Sequence, residues 1–142
     1  MLGAGTGAAE ELWEGFQAFD GGDYPLAAKI FRDHAEAGDP LAQIALANLY
    51  RNGHGVPRDL PRAIALYTRA ARAGSADAQQ NLGDLLARGV GFGPDPAKAY
   101  YWLTRAWVQG RAWAGRRRAE IRPALDPATA AEIDARARRD QQ

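Results

Sequence analysis

The side chains that could do chemistry are few and scattered. His34 and His54 are the only histidines, so they are the only groups whose ordinary titration falls near neutral pH and the only nitrogen ligands suited to a transition metal. Two such residues lack the further ligands at set spacing that a metal site requires. No cysteine occurs, which excludes thiol catalysis, iron–sulfur ligation, cysteine-based zinc sites and disulfides. Ser75 is the sole serine and follows Gly74, a place suited to a helix cap rather than an activated nucleophile. Asp77 and Asp84 stand seven residues apart, a spacing that could aim two carboxylates into one groove for acid–base work, although exposed helix carboxylates are far commoner. Arg116-Arg117-Arg118, with Trp113 nearby, offers phosphate contacts and a stacking surface for nucleic acid. On one helix those three side chains diverge, and Glu120 and Asp126 follow, so the pattern argues against nucleic acid. No catalytic residue, metal or cofactor is expected from this inventory.

The elements that would position these groups follow from an internal period. A shift of 36 residues superposes Ala42 on Ala78, Gln43 on Gln79, Leu46 on Leu82, Gly53 on Gly89, Asp59 on Asp95 and Ala70 on Ala106, without a gap. Within each unit the apolar spacing is helical: Ala63, Leu66, Tyr67 and Ala70 fall at i, i+3, i+4 and i+7, as do Ala99, Trp102, Leu103 and Ala106. First helices carry Leu46, Leu49 and Tyr50, then Leu82, Leu85 and Leu86. Asp39-Pro40, Asp95-Pro96 and Asp126-Pro127 each combine an N-cap carboxylate with a proline in the first turn. Gly53 and Gly89 follow the first helices, and Gly38, Gly74 and Gly110 the second ones. In this register the glycines of Gly89–Gly93 form a helix–helix turn rather than a nucleotide-binding loop, and turns are expected near Gly53–Val56 and Gly89–Gly93. His34 shares the register of Ala70 and Ala106, which predicts a partly buried structural histidine. His54 lies in the Gly53–Gly55 turn, where exposure is expected, and Thr68 and Thr104 read as helix-surface positions.

Ala42-Gln43, Leu46-Ala47, Tyr50, Gly53-His54-Gly55-Val56, Asp59, Ala63, Leu66-Tyr67 and Ala70-Ala71 resemble a Sel1-like repeat, and the next unit repeats the pattern from Ala78-Gln79 to Ala106. It departs where Phe92-Gly93 replaces Val56-Pro57 and where Trp107 replaces Ala71. The first unit, with Gly15, Gly22-Asp23-Tyr24, Ala27 and Phe31, is similar to a tetratricopeptide repeat. The resemblance implies an all-α solenoid of stacked antiparallel helix pairs, about eight helices in a right-handed superhelix. Residues 1–8 are expected to form a flexible N-terminus and 9–142 a single domain, with units at 9–39, 40–75 and 76–111 and capping helices at 112–142.

It also implies a concave face lined by first helices. Carried over from tetratricopeptide grooves, its residues are Leu12, Phe16 and Phe19; Ile44, Asn48 and Arg51; Gln80, Asp84 and Ala87; and Trp113, Arg116 and Glu120. The expected function is a non-catalytic adaptor or scaffold that binds a protein or peptide. Two alternatives come with the resemblance: a hydrolase like the β-lactam-linked, cysteine-rich relatives, whose cysteines this chain lacks, and a toxin-neutralising or secretion-accessory binding protein. Trp102 takes a core position of the repeat, and packing is also expected of Trp13, Trp107 and Trp113.

Charge is unevenly spread. Residues 1–40 hold two basic and eight acidic side chains, net −6, against net +7 in residues 41–142. Sixteen of the eighteen basic residues are arginines, which fits a high-GC bacterial source, with residence in the cytoplasm, or in the periplasm where a signal peptide has been removed. No apolar run approaches the ~20 residues that span a bilayer, and Met1–Gly7 lacks the charged and apolar regions of a signal peptide. The sequence leaves the oligomeric state open.

Overall fold

The computed structural model describes residues 3–89 and 93–142. Eight α-helices follow in order: α1 (Gly3–Asp20), α2 (Tyr24–Glu36), α3 (Pro40–Asn52), α4 (Leu60–Arg72), α5 (Ala76–Arg88), α6 (Pro96–Val108), α7 (Ala112–Ile121) and α8 (Pro127–Gln141). A single 3-10 turn, Arg122–Ala124, carries the break at Pro123, and no strand occurs among the described residues. Helix α1 begins at Gly3, ahead of residue 9, where the sequence reading starts the first unit.

Each boundary has a local cause. Asp39 accepts from the amides of Leu41 and Ala42 (2.9 and 3.4 Å), Asp95 from that of Lys98 (3.1 Å), and Asp126 from those of Ala128 and Thr129 (3.0 and 3.1 Å), which satisfies helix donors that have no partner within the helix. Ser75 does the same for Ala78 (3.3 Å). Gly53 and Gly89 end α3 and α5 with φ of 70° and 63°, in the left-handed region that a Cβ disfavours. The chain then returns in the same way in both units. The amide of Asp59 donates to Tyr50 O and that of Asp95 to Leu86 O, each at 2.9 Å. Of the second predicted turn, Val90, Gly91 and Phe92 lie outside the described residues.

The chain divides into two compact units, Met1–Arg69 and Ala70–Gln142. In the first, Phe31, Ala35, Leu46, Leu49 and Tyr67 are buried together with Leu12. In the second, Leu82, Tyr100, Leu103, Ile121 and Ile133 are buried. Small residues allow close approach: Ala42, Ala63 and Ala70 have no exposed surface, and a Cβ on Gly83 would come within 2.6 Å of Leu103 Cγ.

One buried polar device recurs at the period of the repeat. The side-chain amide of Gln43 donates to the carbonyl of Ala35 (3.3 Å), and that of Gln79 to the carbonyl of Ala71 (3.1 Å). Both carbonyls lie in the last turn of a second helix, beyond the reach of intrahelical donors, and each also accepts a backbone amide, that of Gly38 or Gly74, at 3.0 Å. A glutamine at the start of the next first helix uses the second lone pair of that oxygen, which satisfies its own amide and explains why a long amide is accepted in so apolar a setting.

Candidate partner-binding surface

In the first unit, Leu12 is buried and forms part of the core, so it offers no surface. Phe16 is half-buried, with its ring centroid 4.9 Å from that of Phe31. Phe19 is half-buried against Tyr24 (5.2 Å) and His54 (6.2 Å). Ile44 and Arg51 are half-buried on α3. Asn48 is engaged inside the fold, because its side-chain oxygen accepts from the hydroxyl of the fully buried Tyr67. Burial pushes the Tyr67 hydroxyl up to about 12, against an opposing effect of Arg51.

In the second unit, α5 and α7 are joined by ion pairs. Arg111 meets Asp77 at 2.8 Å, and Arg117 meets Asp84 at 3.3 Å. Asp84 also holds Arg88 (2.9 Å), and Arg117 also holds Glu120 (2.9 Å). Hydrogen bonding to Glu120, then to Asp84, raises the Arg117 guanidinium above its ordinary value despite partial desolvation. Both carboxylates considered for acid–base work are therefore neutralised by arginines. Gln80 and Ala87 are half-buried nearby on α5, while Trp113 and Arg116 are exposed on α7. The three consecutive arginines diverge: Arg116 faces solvent, Arg117 reaches α5, and Arg118 turns inward to Thr104 (2.8 Å), Tyr100 and Asp134.

Several expectations are corrected. His54 is not a solvated turn residue: its ring stacks on Tyr24 at 4.7 Å and 11°, and its buried Nδ1 has no hydrogen-bond partner. His34 is largely buried as expected, 3.5 Å from Glu11. Thr104 is fully buried, donating to Tyr100 O (2.7 Å) and accepting from Arg118, because α7 and α8 cover its face of α6. Trp102 lies in the core and Trp107 packs as expected, its indole against Gly115, but Trp13 and Trp113 are 62% and 38% exposed. Arg105 was not singled out by the sequence, yet it is buried, donating to Gln141 Oε1 and the Asp140 carbonyl, each at 3.1 Å.

No group of three or more acidic or histidine side chains among the described residues could hold a metal ion, and no helix among them is long and apolar enough to cross a membrane. What the unit faces offer is surface: half-buried aromatic and aliphatic side chains on α1 and α3, and an ion-paired, tryptophan-bearing face on α5 and α7.

The family model of the Sel1 repeat matches residues 40–75 and 76–106. The chain carries two Sel1 repeats. A protective antigen present in uropathogenic Escherichia coli strains, which displays an SLR fold, superposes with a TM-score of 0.85 at 23% identity, over 94% of this chain and 30% of its own. A Sel1 repeat protein from Oxalobacter formigenes superposes with a TM-score of 0.71 at 30% identity, over 93% of this chain and 58% of its own. The chain thus spans under a third of the first relative's length and somewhat over half of the second's. No curated protein sequence matches it. Sel1 repeats share the all-α solenoid fold and are generally protein-interaction scaffolds.

Proposed function

We propose that this Sel1 repeat chain is a non-catalytic adaptor or scaffold that binds a protein or peptide segment through the accessible faces of its first helices. The observation that carries the reading is the pair of Sel1 repeats, units typical of protein-interaction scaffolds. The contact residues are Phe16, Phe19, Ile44 and Arg51 in the first unit, and Gln80, Ala87, Trp113, Arg116 and Glu120 in the second. Leu12, Asn48 and Asp84 support these faces from within. A partly exposed tryptophan beside an exposed arginine is the composition enriched in interface hot spots, so Trp113 with Arg116 is the anchor of the second unit.

The test is capture of partners from cells of the native organism, with wild-type chain compared to an Ile44→Asp/Trp113→Ser/Arg116→Glu variant and to Arg136→Ala/Arg138→Ala on α8. The first-helix variant should lose the captured partner and the α8 variant should keep it, with melting temperatures measured for both. Full capture by a first-helix variant that melts like wild type would overturn the reading.

A further inference from the structure

Helix α1 presents an apolar side chain that the fold does not use. Trp13 is the most exposed large apolar residue of the described chain, at 62%. It is set among acids: α1 carries Glu10, Glu11, Glu14 and Asp20 and no basic residue. Glu11 is taken by His34, whereas Glu10 and Glu14 have no ion-pair partner among the described residues.

The same unit contains a complementary cavity of about 340 Å³ between α2, α3 and α4. Its floor is the buried Leu46 and Tyr50 with the half-buried Leu66, and its rim is Arg32, Arg62 and Arg69. Arg62 is held in place, 5.5 Å from the Tyr50 ring centroid, 3.3 Å from its hydroxyl and 3.4 Å from Asp59. Arg32 and Arg69 have no ion-pair partner among the described residues. Only one carboxylate, Glu36, lies on the same lining. The site therefore combines an apolar floor with an excess of positive charge, in the size range of ordinary ligand clefts.

We infer that this cavity receives Trp13 of a second copy of the chain, with Glu10 and Glu14 of that copy paired to the rim arginines. The argument is complementarity on both counts. A tryptophan removes about 150–250 Å² from water and is favoured where guanidinium groups can lie over its ring, and the acidic turn around it matches the unneutralised rim. The partner-binding reading above is independent of this contact. Because tryptophan and cavity are different patches, a two-fold arrangement makes the contact twice, whereas an arrangement that does not close builds chains. The patch is small against the ~800 Å² per partner of a stable interface, so association should be weak, dependent on concentration and sensitive to salt.

Sedimentation equilibrium of the full chain over a wide concentration range provides the test. Wild type should show a rising average mass, and Trp13→Ala should weaken association at least about tenfold, as expected of a central aromatic. Glu10→Lys/Glu14→Lys and Arg32→Glu/Arg69→Glu should each be monomeric alone, yet associate when mixed, because each supplies the intact half that the other lacks. All four side chains exchanged are at the surface, and circular dichroism should confirm unchanged folding. A wild-type chain that stays monomeric, an association indifferent to Trp13, or no recovery on mixing would overturn the inference. Binding of an acidic foreign peptide to a strictly monomeric chain would also overturn it, by giving the cavity a different occupant.

Discussion

The indole of Trp107 lies against Gly115, so closely that a Cβ on Gly115 would come within 2.5 Å of Trp107 Cδ1. One period earlier the same two positions are Ala71 and Gln79, and two periods earlier Ala35 and Gln43, each pair joined by the glutamine-to-carbonyl hydrogen bond. The third pair exchanges a small residue and a long amide for a large ring and no side chain. Arg118 then covers the ring, with its guanidinium 4.6 Å from the centroid. The substitutions compensate in volume, and this accounts for the departure of Trp107 from the repeat.

Gly115→Gln alone should therefore destabilise by about 1–3 kcal/mol, the usual range for overpacking. Combining it with Trp107→Ala should recover much of that loss by restoring the pair found in the earlier units. A thermal-melting double-mutant cycle reads the coupling; additive losses would show that the two positions do not compensate.

Replacing Gln79 by Ala should cost about 0.5–1.5 kcal/mol, the net worth of one hydrogen bond, since the Ala71 carbonyl loses the side-chain donor and keeps the Gly74 amide. Gln43→Ala should behave alike, given the matching bond to Ala35. Urea titrations should show lower midpoints with unchanged slopes.

Tyr67 makes stability fall at alkaline pH. Its hydroxyl, about 10 in the unfolded chain, is pushed up to about 12 in the native state, so between these values the unfolded chain has released a proton that the native state keeps. Its contribution is complete below about 10 and declines as pH rises through that window. Tyr67→Phe should remove this part of the slope, and at neutral pH should cost about 1–2 kcal/mol because the Asn48 oxygen loses its donor. Denaturation curves at pH 7 and 11 test both statements.

Arg118→Met should cost about 3–5 kcal/mol, the range for breaking a largely buried pair, because Asp134 is left without its cation while Thr104 loses a donor. Tyr100 still donates to Asp134 at 3.2 Å, so a protein that stays folded but less stable is expected. Arg116→Met, on the same helix but exposed, should change the melting temperature little. Similar losses for the two variants would refute the inward role of Arg118.

The helices were legible in the chain because their causes are local. Apolar residues at helical spacing choose a buried stripe, an aspartate before proline starts the next helix, and a glycine free to take a left-handed conformation ends the previous one. Repetition of these signals at 36 residues implied stacked helix pairs, and Ala42, Ala63 and Gly83 marked where helices meet.

What each side chain meets on a neighbouring helix is a different quantity. Asn48 is a groove position by resemblance to tetratricopeptide repeats, but the tertiary fold sets Tyr67 opposite it and turns it into a half-buried acceptor. Periodicity could not choose among three consecutive arginines; the approach of α5 took Arg117, and the packing of α6 and α8 took Arg118. A histidine in a glycine turn looks solvated until Tyr24, thirty residues away in sequence, brings a ring against it. Helix identity follows from backbone preferences within a turn or two, whereas the fate of a polar or aromatic side chain depends on partners that long-range packing alone brings within reach.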